Sequence, residues 1–413
     1  MGTSPNTSTS LLRDRDFLLF AGGQGASALG DSLSKTALPL LVLALTGSGL
    51  HMGIIAMLSA LPMLVLGIPA GAWADRFDRR AIMLWSDVGR TVLIAVVPVA
   101  ALFDIPVLPV LYAIAVPVGV LYALFEAACL SCVPSLVGRE RLGMANSMLS
   151  IGNALGYLAG PSLAGVLVTS VGGAVALGVD AVTFAVSAVT LMLIRRPLQS
   201  STVSGSASSS VKHQVREGLE YIVKHRLLRS ALIFWGSITF FTSPVIICAT
   251  YFIREDLGWP PETLGVIITT YAVGAIFGAV VAARLRQTPG LVMFIGTVVG
   301  GVALVVLSIS SSLPLALGLA LTAGVGESVA GIFYATLRAQ LTPDELLGRV
   351  TTTAQVVTFG LRPLSVSLAG VALEVTSGAF TLAAIGTACL VISLFFMIGN
   401  TLVSATAEPA SPM

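Results

Sequence analysis

Eight charged residues lie inside long apolar runs of the sequence, where a charge is costly unless it has a partner or faces water. They are Asp31, Lys35, Asp87, Arg90, Glu126, Asp180, Glu327 and Arg362. In the first run, polar residues recur at intervals of three or four: Gln24, Ser27, Asp31 and Lys35. This spacing places them on one face of a helix. The pattern allows two interpretations. Asp31 and Lys35 are either a protonatable pair that lines a cavity, or a structural pair in which the two charges neutralise each other.

The remaining charges allow several roles. A carboxylate in a poorly hydrated site can take up and release a proton, so Glu126 and Glu327 are candidates for proton coupling; a hydrogen-bonded packing role is the alternative for each. We expect Arg362 to pair with Glu327 or Asp31, or to contact an anionic substrate group. A structural role is favoured for Asp180. Two further residues, Asp87 and Arg90, are predicted to belong to a gate at the inner surface.

Twelve apolar segments position these side chains, and each can cross about 30 Å of hydrocarbon. We predict them at 17–46, 50–74, 81–103, 106–135, 141–169, 172–195, 228–253, 262–284, 289–310, 312–340, 346–375 and 378–403. The fold class predicted is therefore an all-α polytopic membrane protein with twelve transmembrane helices.

Composition excludes other classes of protein. Of 413 residues, 55% are hydrophobic and 10% charged, and the mean hydropathy is +0.95. A soluble domain carries about 25% charged residues, so a soluble enzyme of this size is excluded. The net charge of +2 and the lack of a basic block exclude a nucleic-acid binder. Four cysteines exclude a disulfide scaffold.

Basic residues set the predicted orientation. With the N-terminus inside, 18 Lys and Arg residues fall in inner segments and only Arg254 falls in an outer loop. This bias predicts that both termini are cytoplasmic. Residues 1–16 are then an N-terminal tail and residues 405–413 a C-terminal tail.

The chain contains an internal repeat. Leu142-Gly143 matches Leu347-Gly348, and the five residues 162–166 recur at 367–371 with the same offset of 205 residues. Repeats of this kind are typical of secondary transporters. We therefore predict two pseudo-symmetric six-helix bundles, 17–196 and 228–404. The linker 197–227 begins with a Ser-rich stretch and continues as an amphipathic helix on the inner membrane surface, or as a plain solvated connector.

Two motifs carry a family resemblance. The first follows the second span, with the pattern G-x-x-x-D-R-x-x-R-R: Gly71, Asp75, Arg76, Arg79 and Arg80. It resembles the signature between helices 2 and 3 of the major facilitator superfamily, and we assign it to the inner gate. The second lies in the fifth span: Gly156, Gly160, Pro161 and Gly165. It resembles a motif that this superfamily's exporters use in antiport, although small residues and a proline are also common in helix packing.

Further phrases resemble one branch of the superfamily, the macrolide-efflux and enterobactin-exporter group. They are residues 13–17, 145–147 and 340–350. The resemblance implies the major facilitator fold, a bacterial cytoplasmic membrane, and secondary active export of an amphipathic small molecule such as an antibiotic, drug, siderophore or secondary metabolite. Proton antiport with alternating access is the implied mechanism. The fourth span departs from the pattern, because it lacks the Arg of many proton-coupled drug exporters.

The sequence lacks the motifs of nucleotide-driven and metal-dependent proteins, which limits the energy sources that transport could use. The sequence has no glycine-rich phosphate loop, its three histidines lie at the loop end of a span or in the linker, and Cys129 and Cys132 form a lone pair. We expect no enzyme activity, no metal and no cofactor, with a proton gradient as the energy source. The expected partners are the lipid bilayer, a small-molecule substrate and protons, and the protein is expected to be monomeric. The alternatives are an uptake symporter or facilitator for a metabolite or lipid, and a non-transporting membrane sensor.

Overall fold

The computed structural model describes residues 11–198, 211–285 and 288–398, so the Ser-rich part of the linker and the residues after 398 lie outside it. The helices of the described residues are α1 (Arg15–Thr46), α2 (Gly49–Arg76), α3 (Arg79–Leu102), α4 (Val107–Val137), α5 (Leu142–Val171), α6 (Gly173–Leu193), α7 (Val211–Lys224), α8 (Arg226–Thr242), α9 (Val245–Tyr251), α10 (Pro261–Ala282), α11 (Pro289–Ser308), α12 (Leu313–Gln340), α13 (Asp344–Gly360), α14 (Arg362–Val375) and α15 (Gly378–Ile398).

Within these residues, twelve segments are long and apolar enough to cross a membrane, which confirms the predicted number of spans. Two of the spans are interrupted. The seventh consists of α8, α9 and a π-helical turn, Phe252–Asp256. The eleventh consists of α13 and α14, which meet at Leu361. Pro363 cannot donate the helical hydrogen bond, so the break leaves Arg362 as the first residue of α14.

The spans form two bundles, α1–α6 and α8–α15. In the first, α1 packs on α5 and α6, and α3 packs on α4 and α6. In the second, α12 lies between α10 and α11. Glycines permit this close packing, because a side chain at Gly324 would collide with the backbone of α10 and one at Gly326 with the backbone of α11.

The bundles meet at one end of the molecule. We call the end that carries the start of α1 the inner end, following the predicted orientation, and the opposite end the outer end. Near the outer end, Gly53 of α2 lies against Gly370 of α14, and Gly165 of α5 lies against Glu262 of α10. The inner half of α5 is exposed on several sides, for instance at Ile151 and Leu155. The molecule is therefore sealed at the outer end, and α5 is uncovered toward the inner end.

Helix α7 lies against the inner end of the second bundle. Glu217 forms an ion pair of 2.6 Å with Arg349 of α13, and the Tyr221 hydroxyl donates to the carbonyl of Leu341 at 3.2 Å. On the same side, Ile222 is buried in a small apolar cluster with residues of α8 and α13. The linker residues 211–224 are thus helical and attached to the second bundle.

Candidate functional site

A buried ion pair lies at the centre of the first bundle. Asp87 and Arg90 of α3 are 0% and 1% exposed and bonded to each other. The Arg90 guanidinium lies between two rings, 4.5 Å from the centroid of Phe125 and 4.1 Å from that of Phe184. Both rings attract the cation through their faces. This position differs from the inner-gate assignment: the pair is enclosed by α3, α4 and α6, where the ion pair and the two rings replace the water that burial removes.

Arg90 is the electrostatic centre of a larger cluster. Its charge acts on Asp31 of α1, Glu126 of α4 and Asp180 of α6 as well as on Asp87. Four carboxylates of the first bundle therefore feel one fully buried arginine, and Lys35 also acts on Asp31 and Glu126. Asp31 and Glu126 are half-buried, and neither forms a hydrogen bond or ion pair with the residues that the structure describes.

The other residues of the α1 face have separate partners. Instead of pairing with Asp31, Lys35 donates to the Tyr157 hydroxyl of α5 at 3.2 Å, and its ammonium lies 5.0 Å from that ring's centroid. Gln24 accepts a 3.5 Å hydrogen bond from the thiol of Cys129. A self-neutralised pair of Asp31 and Lys35 is thus not the arrangement found.

Ser27, in contrast, is buried. Asp180 accepts hydrogen bonds from Ser34 and, at 3.3 Å, from Thr183, beside Gly30. The bond from Ser34 joins α1 to α6, whereas the bond from Thr183 lies within α6. A structural role for Asp180 remains the prediction.

In the second bundle, the corresponding carboxylate is Glu327 of α12. It is exposed and accepts a 2.5 Å hydrogen bond from the hydroxyl of Tyr271 on α10. No cation of the described residues acts on it. One turn and two turns further inward, Gly331 and Tyr334 contact Trp235 of α8, whose indole stacks on the Tyr334 ring with centroids 5.0 Å apart and planes 13° from parallel.

Arg362 has neither of its expected partners. It is exposed and makes no ion pair with any residue in the described ranges.

The repeat offset relates Arg362 to Tyr157, the residue whose hydroxyl accepts a hydrogen bond from Lys35. The two positions end matching exposed stripes, 143, 147, 150, 154 and 157 on α5 and 348, 352, 355, 359 and 362 on α13 and α14. Pseudo-symmetric helices therefore present equivalent exposed faces that end at a hydroxyl in one bundle and a guanidinium in the other.

The motif at the inner end of α2 acts on neighbouring helices. Arg79 donates to the carbonyl of Ser131 at 2.7 Å, and Arg80 donates to the carbonyls of Leu191 and Met192 at 3.0 and 2.6 Å. Arg80 thereby satisfies carbonyls at the end of α6, where a cation is favoured.

The rest of this motif makes fewer contacts. Arg76 is exposed, and the Asp75 side chain lies outside the part of the structure that is described. A Cβ at Gly71 would meet nothing within 4 Å. No helix of the described residues therefore packs closely on Gly71 in this conformation.

The motif in α5 has two different packing roles. Gly156 lies against the backbone of α1 at Ala28, and Gly160 lies against the Ser32 side chain of the same helix. The carbonyl of the next residue, Pro161, lies against Gly265 of α10, across the interface between the bundles. Gly165 also faces α10, as described above. The motif thus links packing within the first bundle to the seal between the bundles.

Hydrogen bonds close both sides of the outer seal. On one side, Glu374 at the end of α14 accepts from the Ser48 hydroxyl at 2.6 Å and from the backbone N–H of Leu50 at 3.3 Å, at the start of α2. On the other side, Glu262 at the start of α10 accepts from Thr169 at the end of α5. Each side therefore has one carboxylate held by groups of the opposite bundle.

Several of these residues were missed from the sequence: Tyr157, Trp235, Glu262, Tyr271, Tyr334 and Glu374. The spacing of polar residues could have identified Tyr157, because it lies at the end of a polar face of α5 that includes Asn146, Ser150 and Asn153. For the aromatic residues of the second bundle no spacing rule applied, because their partners lie on other helices.

Comparison with known proteins agrees with this geometry. The family model described as Major Facilitator Superfamily matches residues 20–366. The multidrug efflux pump Tap of Mycolicibacterium fortuitum is 28% identical over 352 residues, which cover 83% of this chain and 85% of that protein. The enterobactin exporter EntS of Salmonella typhi is 26% identical over 336 residues, 79% and 78% of the two chains.

Solved structures share the fold. A bacterial homologue of the iron transporter ferroportin, in an inward-facing state, superposes with a TM-score of 0.73 at 18% identity, covering 95% of this chain and 100% of that one. The nucleoside transporter NupG gives a TM-score of 0.76 at 10% identity, with coverages of 93% and 98%. The family model covers most of the chain, and the two-bundle arrangement of twelve spans is the same. This multi-pass membrane protein belongs to the major facilitator superfamily of transporters.

Proposed function

We propose that the protein exports an amphipathic small molecule in exchange for protons, by alternating access between the two bundles. The observation that carries this proposal is the combination of an outer seal with two carboxylates of the spans, Glu126 and Glu327, that form no ion pair with the described residues. Such carboxylates are costly in a membrane unless a proton or a ligand neutralises them. The seal supports an inward-facing conformation in which an intracellular substrate reaches these groups.

Exchange follows from competition for the carboxylates. A proton on Asp31, Glu126 or Glu327 removes the charge that a substrate would use, so substrate and proton occupy the site in turn. Proton release toward the inside would then accompany substrate binding from the inside. No cofactor takes part in this scheme, and the proton gradient supplies the energy. The protein acts as a monomer in a bacterial cytoplasmic membrane with both termini in the cytoplasm.

The relatives support the direction of transport. Tap is named as a multidrug efflux pump and EntS as an enterobactin exporter, and each matches most of this chain. The packing of Gly156 and Gly160 on α1 and of Gly165 on α10 supports the same direction, because the exporter-like motif lies at the seal that must open for release.

The test is transport in inverted membrane vesicles, in which an acid interior drives uptake of exported compounds. A panel of labelled macrolides and catecholate siderophores is offered with and without the proton gradient. We expect gradient-dependent accumulation by the wild type and its loss in Glu126→Gln or Glu327→Gln. Glu140→Gln serves as the matched control, because Glu140 is exposed in the turn between α4 and α5.

Two outcomes would contradict the proposal. Unchanged accumulation in all three of Asp31→Asn, Glu126→Gln and Glu327→Gln would remove the coupling assignment. Accumulation in right-side-out vesicles but not in inverted ones would reverse the direction and favour uptake. Immunoblotting of the vesicles checks that each variant is present in equal amount.

A further inference from the structure

One face of α12 combines a carboxylate with an aromatic surface. Glu327, Gly331 and Tyr334 are spaced by four and three residues, so they lie on one face of the helix. A Cβ at Gly331 would lie 3.4 Å from the Trp235 indole, which places the ring against the α12 backbone. Gly331 lies about 6 Å along the helix from Glu327, one turn further inward. An acid and a planar ring are therefore neighbours on this face.

The carboxylate lacks a positive partner. Glu327 is exposed, and Tyr271 is its single hydrogen-bond donor among the described residues. A basic residue on the same face, Arg338, lies eleven positions away, about 16 Å along the axis. Its guanidinium lies 5.3 Å from the Tyr334 centroid and so remains at the inner end of the face. The region around Glu327 and Trp235 is thus negative and aromatic.

The aromatic surface is built to be reached from one side. Tyr334 is buried and covers one face of the Trp235 indole, with planes 13° from parallel. Trp235 itself is half-buried. A rigid, partly exposed ring next to an unpaired carboxylate attracts cations by its quadrupole and by the full charge of the acid.

We propose that this face is a binding site for planar aromatic organic cations, with Glu327 pairing with the positive charge and Trp235 stacking on the ring system. The inference rests on the proposed transport function and adds the class of substrate. Trp235 and Glu327 are binding residues in this scheme, while Tyr271 positions the carboxylate and Tyr334 positions the indole. A proton and the cation then compete for one carboxylate.

The test is equilibrium binding to the purified full-length protein in lipid nanodiscs. The probes are ethidium, a planar aromatic cation, and fluorescein, a planar aromatic anion, followed by fluorescence anisotropy. We expect Glu327→Gln to weaken ethidium binding by at least about 30-fold, since it removes one partner of a desolvated charge pair. We expect Trp235→Ala to weaken it about tenfold and Trp235→Phe to retain most of the affinity.

Matched controls separate the site from general effects. Glu140→Gln removes an exposed acid, and Trp85→Ala removes an indole that is 69% exposed on α3; both should bind ethidium as the wild type does. Thermal unfolding verifies that each variant is folded, and Trp235→Phe keeps the test valid if Trp235→Ala is not.

Two results would overturn the inference: ethidium affinity equal in the wild type and Glu327→Gln, or tighter binding of fluorescein than of ethidium. Proton-driven export of other compounds in either case would leave the transport function standing and remove only the substrate class. Conversely, ethidium binding that depends on Glu327 and Trp235, without any proton-driven transport, would support the site and contradict the proposed function.

Discussion

The seal between α2 and α14 depends on two glycines, and adding one methyl group should open it. A Cβ at Gly53 would lie 2.8 Å from the Cα of Gly370 and 2.9 Å from the carbonyl oxygen of Val366. Carbon atoms in contact prefer about 3.5–4.0 Å, so Gly53→Ala requires the helices to separate by about 1 Å. Both obstructing atoms belong to the backbone and cannot rotate away.

The cost of this substitution falls on one conformation. Overpacking typically destabilises a packed site by about 1–3 kcal/mol, and here it destabilises only the conformation whose outer end is closed. The ratio of outer-open to outer-closed molecules should therefore rise by about 5- to 150-fold. The matched control is Gly67→Ala in the same helix, where the nearest atom to the new Cβ, the methyl carbon of Met63, lies at 4.0 Å.

The measurement is a spin-label distance across the outer end. Labels at Asp104 and Ser311, exposed residues at the outer ends of the first and second bundles, report the separation on a background without native cysteines. We expect a longer distance to gain population in Gly53→Ala and the Gly67→Ala distribution to match the parent. Identical distributions in both variants would refute the reasoning, because they would mean that the contact with Gly370 does not limit closure.

Three further predictions follow from polar contacts. Asp87→Asn or Arg90→Met should each lower the free energy of unfolding in micelles by about 3–5 kcal/mol, and the double variant by less than the sum; additive losses would contradict the pairing. Glu374→Gln should weaken the hydrogen bonds to Ser48 and Leu50 and shift the same spin-label distance toward opening, whereas an unchanged distance would mean that Glu374 does not stabilise the seal. Arg349→Gln should cost less than 1 kcal/mol of stability but speed hydrogen exchange in α7, since it breaks the ion pair with Glu217; unchanged exchange would show that apolar contacts alone hold the helix.

The spans were predictable because each is a long apolar run whose helical hydrogen bonds are all local. In a membrane such a segment has almost no other way to satisfy its backbone groups. The interruptions of the seventh and eleventh spans were harder to predict from the sequence. Pro363 signalled the break before Arg362, but a π-helical turn at Phe252–Asp256 depends on contacts such as that of Gly378 with Phe252, which joins distant parts of the chain.

Pairing of charges was only partly predictable. Their spacing of four residues would allow Asp31 and Lys35 to pair, yet Lys35 donates its hydrogen bond to Tyr157 on another helix. Spacing by three did identify neighbours in Asp87 and Arg90, but not their location. Two phenylalanines from α4 and α6 decide that location, and no local pattern connects them with α3. Sequence spacing reports which residues share a helix face, whereas tertiary packing determines which face is buried.

The repeat explains why the seal is symmetric and the chemistry is not. At the shared offset of 205, Gly165 and Gly370 are both glycines in contact with the opposite bundle, so closure needs the same backbone approach on both sides. The neighbouring positions have diverged: Thr169 corresponds to Glu374, so the second bundle supplies the carboxylate on both sides, Glu262 on one and Glu374 on the other. A two-fold seal lets the bundles rock as equal bodies, but only unequal side chains can make the two directions of transport energetically different. Substitutions at the glycines should therefore change how often the outer end opens. Substitutions at the diverged positions should change the energetic difference between the two directions of transport.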